Sequence, residues 1–226
     1  MVMRVAVTRA LPEAERTAER LRALGATPVL APLLTIEPRP FDASIEGAQA
    51  LIFTSTNGVR AFAEASAARG CPVLTVGDAT AAAAREAGFA DVRSADGAVS
   101  DLAALAKRAL DPAKGKIVHI GGAHLAGDLA GELGAHGFAV ERRIAYEAVA
   151  ARALPDSFAT PLDAVLFHSA RAAETFAALG APQAQGLLAA CISDAVAGAA
   201  RKAAWKRVIV APAPREDALL AALLRG

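Results

Sequence analysis

A pattern in the first half of this chain returns in the second, and no other feature narrows the fold as much. Val5-Ala6-Val7-Thr8 leads into a helical pattern with Leu21, Leu24 and Gly25. At an offset of 112, Ile117-Val118-His119-Ile120 leads to Leu133 and Gly137, which match Leu21 and Gly25, while Leu24 falls on His136. Leu51-Ile52-Phe53-Thr54-Ser55 returns at 114 as Val165-Leu166-Phe167-His168-Ser169, with Phe62 on Phe176. Val76-Gly77-Asp78-Ala79 returns at 116 as Ile192-Ser193-Asp194-Ala195, with Arg85 on Arg201 and Val92 on Val208. The offset grows by two at each step, as short loop insertions would produce. Three matches in one order exceed chance, so the 226 residues carry a duplicated unit.

Each unit alternates short apolar runs with longer helical patterns. The first predicts strands near 3–8, 28–34, 50–54, 72–76 and 91–93, with helices near 12–24, 57–69, 79–87 and 100–110. The second predicts strands near 116–120, 139–146, 164–168, 188–192 and 207–210. Strands separated by helices of this length imply parallel pairing through right-handed crossovers. The expected fold is α/β, with two similar domains, each a parallel sheet flanked by helices. Pro32-Leu33-Leu34-Thr35-Ile36-Glu37-Pro38 and Arg142-Arg143-Ile144-Ala145-Tyr146-Glu147-Ala148-Val149 hold equivalent places and read as extended connections. Two arrangements satisfy the repeat. Either two consecutive halves fold separately, or the middle segment forms one domain and the two ends join to form the other.

Composition removes several function classes. Lys and Arg number 24 against 23 Asp and Glu, a net charge of +1, which gives no field for wrapping nucleic acid. The mean hydropathy of +0.36 is inflated by 61 alanines and does not indicate a membrane protein. The longest uncharged run, Thr175 to Ser193, contains Pro182, Gln183, Gln185 and two glycines, unlike a spanning helix. Arg4, Arg9, Glu13 and Glu15 interrupt any signal peptide at the start. Cys71 and Cys191 lie in apolar contexts and read as buried thiols of a reducing compartment. A cytoplasmic protein with no nucleic-acid or membrane partner is expected.

In open parallel sheets, ligands bind beyond the carboxyl ends of the strands. Those positions hold Thr8-Arg9, Thr54-Ser55-Thr56-Asn57-Gly58, Gly77-Asp78-Ala79-Thr80, Gly121-Gly122, Ser169-Ala170-Arg171 and Ser193-Asp194. Backbone N–H groups and hydroxyls at helix N-termini suit carboxylates or phosphates. For any single residue the plainer reading is helix capping; the set points to an anion. No G-x-G-x-x-G follows the first strand, and no phosphate loop ends in Gly-Lys-Ser/Thr. His119, His124, His136 and His168 lack metal-ligand spacing and read as polar surface or loop residues. No Gly-x-Ser-x-Gly elbow is present, and Trp205 reads as packing at a helix end.

These residues carry a resemblance over nearly the full chain. Val7-Thr8-Arg9, Leu21-x-x-Leu24-Gly25, Pro32, Leu51-Ile52-Phe53-Thr54-Ser55-x-Asn57-Gly58-Val59, Val76-Gly77-x-x-Thr80-Ala81, Leu129-x-x-x-Leu133-x-x-x-Gly137 and Tyr146 together resemble the uroporphyrinogen-III synthases. The resemblance implies a discontinuous domain of 1–33 plus 149–226, an inserted domain of 38–142, and connectors at 34–37 and 143–148. It implies a monomeric cyclising hydro-lyase of haem and other tetrapyrrole biosynthesis, using no cofactor and no metal. The substrate is hydroxymethylbilane, a linear tetrapyrrole with eight carboxylates, and the product is uroporphyrinogen III with ring D inverted. Transient contact with the preceding pathway enzyme is also expected. In the proposed course, loss of the hydroxyl gives an azafulvene, attack at the substituted carbon of ring D gives a spiro intermediate, and fragmentation and reclosure turn that ring around. The uncatalysed chain closes without inversion, so control of geometry is the main task.

Carried over by position, Tyr146 matches the connector tyrosine and is the candidate general acid. Arg9, Ser55, Asn57, Gly77, Thr80, Gly121, Gly122, Ser169 and Arg171 are the candidate substrate-binding residues. Two positions depart from the pattern: Gly122 is followed by Ala126 where an arginine often stands, and Val196 replaces the threonine that would match Thr80. A non-catalytic, two-lobed anion-binding protein is the alternative. The Phe-Thr-Ser and Val-Gly-x-x-Thr motifs with Tyr146 favour the enzyme.

Overall fold

The computed structural model describes residues 2–124 and 127–225; Ala126, one of the two departures, lies outside the described residues. The first part of the chain forms β1 (Arg4–Val7), α1 (Glu13–Ala23), β2 (Thr27–Leu30), β3 (Leu34–Pro38), β4 (Ala48–Phe53), α2 (Thr56–Ala65), β5 (Val73–Thr75), α3 (Asp78–Glu86), β6 (Val92–Ser94) and α4 (Val99–Ala109). The remainder forms β7 (Lys116–Gly122), α5 (Leu129–Gly134), β8 (Val140–Ala150), β9 (Ala164–Phe167), α6 (Ala170–Ala178), β10 (Leu188–Cys191), α7 (Asp194–Ala200), β11 (Arg207–Val210) and α8 (Glu216–Arg225).

The strands form two sheets, in the orders β11-β10-β9-β1-β2 and β3-β8-β7-β4-β5-β6. Every pairing from β2 to β11 and from β8 to β6 is parallel, as helical crossovers demand. The repeats do not each build one sheet. β1 and β2 of the first repeat join β9 to β11 of the second, while β4 to β6 of the first join β7 and β8 of the second. By contacts, the chain divides into two compact units, Met1–Thr35 with Val149–Gly226, and Ile36–Ala148.

Among the described residues eleven strands stand where ten are expected. The addition is β3, whose prolines bound a run that finds β8 as its neighbour in the sheet. Helix α2 ends at Ala65, short of the expected 69, because Ser66 turns to extended backbone.

Local chemistry explains the elements that the repeat shares. Gly25 (φ +81°) and Gly137 (φ +82°) follow α1 and α5 in the left-handed region. The amides of Gly25 and Ala26 donate to Arg22 and Leu21, and those of Gly137 and Phe138 donate to Gly134 and Leu133, the same paired cap twice. The aromatic pairs are repeated too. Phe53 and Phe62 lie 6.0 Å apart at 62°, and their counterparts Phe167 and Phe176 lie 5.9 Å apart at 58°. Such edge-on contacts add about 0.5–1.5 kcal/mol beyond burial. Trp205 stacks on Phe176 at 5.2 Å and donates its indole N–H to Ala200. Buried alanines of α3 (Ala81, Ala83, Ala84) and α7 (Ala197, Ala199, Ala200) account for part of the alanine excess, since small faces let helices approach their neighbours closely.

Gly58 is required by close approach rather than by its φ. A Cβ there would lie 2.7 Å from the Ile120 carbonyl oxygen and 3.5 Å from the Phe53 ring. Backbone cannot rotate aside, so Gly58→Ala should cost about 1–3 kcal/mol from overpacking, despite the better helix propensity of alanine. The urea midpoint reads this; an unchanged midpoint would mean that α2 slides off β7 freely.

Candidate functional site

Because each sheet is parallel along these strands, their carboxyl ends share one edge within each unit. In the 36–148 unit that edge carries Thr54-Ser55 after β4, Gly77 after β5, and Gly121-Gly122 closing β7. The register of β7 against β8 shifts between Gly121 and Gly122, which sets Gly122 opposite Tyr146. Bulges of this kind re-aim side chains beside functional sites.

Three candidates meet there. The Tyr146 hydroxyl lies 2.7 Å from Ser55 Oγ. The Gly122 backbone also lies against the phenol, close enough that a Cβ there would sit 3.0 Å from the hydroxyl oxygen. The ring passes so close over Gly122 that a Cβ would lie 2.8 Å from two ring carbons. Ser55 is at once the N-cap of α2, with Oγ accepting from the Gly58 N–H at 3.2 Å. Burial pushes the Tyr146 phenol above its ordinary value, and the Ser55 bond and the Gly122 backbone oppose that only in part. The phenol therefore keeps its proton at neutral pH.

The other candidates of this unit flank that group. Asn57 Oδ1 accepts from Arg60 at 3.0 Å. Gly77 is the extended N-cap of α3 with open space above it, and its carbonyl accepts from the Thr75 hydroxyl and the Thr80 and Ala81 amides. Thr80 is buried in the first turn of α3, while Val196, its counterpart in the repeat, packs in an apolar cluster.

His119 corrects the expectation of a surface or loop histidine: it is 2% exposed within β7. Its Nε2 lies 3.3 Å from Thr54 Oγ1, beside Gly121. Burial, aided by the Arg142 charge, brings its pKa down to about 4. Arg142 in turn donates to the carbonyls of Gly122 (2.6 Å) and Ala123 (3.1 Å), pinning the loop that presents the Gly122 amide.

In the other unit, Ser169 caps α6 by accepting from the Ala172 N–H at 3.2 Å, and Ser193 caps α7. Arg171 stands half-buried in the first turn of α6. Arg9 follows β1 with its guanidinium on Glu216 at 3.2 Å. His168 lies in the loop after β9, as expected, with its side chain only 8% exposed, and its Nε2 lies 3.2 Å from the same carboxylate without good alignment. Glu216, Thr17 and Arg20 carried no signal in the sequence beyond their charge or hydroxyl. A hollow of about 450 Å³ in this unit, lined by Gly180, Pro182, Gln183 and Lys202 among others, holds none of the candidates. It opens where the chain enters β10, at the opposite edge of the sheet.

Comparison with known proteins places the chain in context. The sequence model of a family described as uroporphyrinogen-III synthase HemD matches residues 15–221. No curated protein matches at a significant level. Among solved structures, uroporphyrinogen-III synthetase from Helicobacter pylori is similar, with a TM-score of 0.69 and 17% identity over 100% of this chain and 99% of that one. A methionine-substituted uroporphyrinogen III synthase from Thermus thermophilus gives 0.60 and 22% identity over 99% and 98%. At such identities the structures establish the fold, two-domain α/β with parallel sheets flanked by helices.

Proposed function

This chain belongs to the uroporphyrinogen-III synthase family, and from that premise we propose how its strand-end groups act. It is a uroporphyrinogen-III synthase of tetrapyrrole biosynthesis, and no observation favours the non-catalytic alternative. In chemical terms we read it as a cyclising hydro-lyase: hydroxymethylbilane loses one water and closes to uroporphyrinogen III with ring D turned around. Atoms and electrons balance without an oxidant or reductant.

The observation that supports this reading most is the Tyr146–Ser55–Gly122 contact at the carboxyl edge of the sheet. Ser55 Oγ already accepts from the Gly58 N–H, so Ser55 can donate its own hydrogen to the phenol oxygen. The phenol O–H is then left to turn outward. It donates to the departing hydroxyl of the substrate, which leaves as water, and the Ser55 donor and the Gly122 backbone stabilise the phenolate that forms. That anion takes back the proton released when ring D becomes aromatic again after reclosure.

We assign substrate carboxylates to donors at the strand ends and helix starts: Ser55, Asn57, Gly77, Thr80, Gly121, Gly122, Ser169 and Arg171. Arg9 serves binding through its charge. Segments 34–37 and 143–148 act as connectors between domains 1–33 plus 149–226 and 38–142. No helix among the described residues is long and apolar enough to cross a membrane; we place the enzyme in the cytoplasm, as a monomer meeting the preceding pathway enzyme transiently.

The test supplies freshly generated hydroxymethylbilane and separates the oxidised products. Predominantly type III isomer is expected. A type I product equal to the no-enzyme control would overturn the reading.

A further inference from the structure

The edge of the sheet that holds β1 and β9 carries a buried polar cluster of which the proposed reaction uses Arg9 alone. Glu216 opens α8, and its carboxylate meets four donors from three other parts of the unit. Arg9 Nη1, just past β1, lies 3.2 Å from Oε1, and Arg20 Nη1 of α1 lies 2.8 Å from Oε2. The Thr17 hydroxyl, also on α1, donates to Oε1, and His168 Nε2, just past β9, lies 3.2 Å from it. Arg9 Nη1 reaches Thr17 Oγ1 as well, at 3.4 Å.

Side-chain exposure falls inward, from 59% at Arg20 and 27% at Arg9 to 15% at Glu216 and 8% at His168. The imidazole therefore lies deepest and the guanidiniums outermost. Two guanidiniums face one carboxylate, so with His168 neutral the cluster still carries a net positive charge. Arg16 of α1 adds to that field from outside, itself 4.0 Å from Glu13. Neither ring nitrogen of His168 has a well-aligned hydrogen bond, although the side chain is more than nine-tenths buried. A forked cation, a second cation, a hydroxyl and an imidazole around one point make the donor set of a carboxylate receptor. Burial holds the Arg9 guanidinium below its ordinary value even with Glu216 in place. The Glu216 carboxyl is brought down to about 2: burial alone would raise it, and the nearness of His168, the Thr17 bond and the Arg9 charge outweigh that.

We propose that Arg9, Thr17, Arg20 and His168 form a carboxylate-binding site whose resident ligand in the free protein is the protein's own Glu216. An external carboxylate reaches Arg9 only by displacing the start of α8. The proposed reaction enters only in naming one of the substrate's eight carboxylates as the natural competitor; the site itself is tested without turnover.

Thermal melting of Glu216→Ala in sodium acetate, against sodium chloride at equal ionic strength, reads the vacated site. Acetate should raise the midpoint of Glu216→Ala by about 2–4 °C near saturation, and leave the unaltered protein where chloride leaves it. Adding Arg9→Ala should abolish the rise. No acetate-specific rise, or an equal rise without Arg9, would overturn the proposal. Should Glu216→Ala not fold, Glu216→Gln keeps the shape with an amide that guanidiniums hold less tightly. Acetate should then shift the His168 ring resonances in that variant, and unmoved resonances would equally overturn the site.

Discussion

Tyr146→Phe should lower kcat by about 10²–10⁴-fold, the range for losing a positioned general acid. The protein should remain folded. The ring keeps its place over Gly122, and only the bonds of the hydroxyl are lost, at about 1 kcal/mol each. KM should change little, because the phenol acts on the departing hydroxyl rather than on the carboxylates that hold the substrate. Ser55→Ala should give a smaller loss, since the Gly122 backbone still supports the phenolate while the cap of α2 is weakened. The pH profile gives an independent reading. Burial raises the phenol above its ordinary value of about 10, so activity should persist through neutral pH and fall only above that value. Initial rates of type III product formation measure all of this. A Tyr146→Phe variant within threefold of the unaltered kcat would remove the phenol from the chemistry.

Acidification should unfold this protein through His119 before its exposed carboxylates matter. The pKa of His119 falls from about 6.5 unfolded to about 4 folded, so the unfolded chain binds a proton that the folded one refuses. The stabilisation is complete above pH 6.5 and is lost progressively as pH falls from there through 4. About 3 kcal/mol is at stake, a large share of the stability of an ordinary domain. His168 acts in the same direction, its burial also lowering its pKa, and Glu216 adds a further loss between about 4.5 and 2. His119→Gln separates the contributions. Urea unfolding between pH 7 and 4 should show a flatter acid limb in that variant, with the remaining slope due to His168. An undiminished slope would assign the acid sensitivity elsewhere.

The α/β architecture was legible because its signals are local and repeated. Phe53 and Phe167 end matching apolar runs, Ser55 and Ser169 follow as caps, and Gly25 and Gly137 stop matching helices. Strand β3 was not, since Leu34–Pro38 becomes a strand only by lying beside β8, a partner far along the chain. His119 misled for a related reason. His119 sits inside an apolar run, yet what holds it there is Thr54 of another strand's end, 65 residues away. The contact of Tyr146 with Ser55 spans 91 residues and depends on a register shift that no periodicity announces. Glu216 was the least visible of all, as an acidic residue opening a helix is ordinary capping chemistry until Arg9 and His168 are found against it.

The crossed sharing of strands between the repeats has a consequence for how the molecule comes into being on the ribosome. Residues 36–148 complete their sheet, apart from the last residues of β8, before β9 has been made. The opening strand has no such fortune. β1 lies between β2 and β9 in the finished sheet, so one of its sides stays unpaired until residues 164–167 emerge, and α8 docks Glu216 against Arg9 later still. A nascent chain therefore carries a naked β1 edge from the emergence of β2 until β9 follows the middle unit out. Chaperone demand and misassembly should concentrate there, and truncation after β8 should yield a soluble middle unit with a sticky leader.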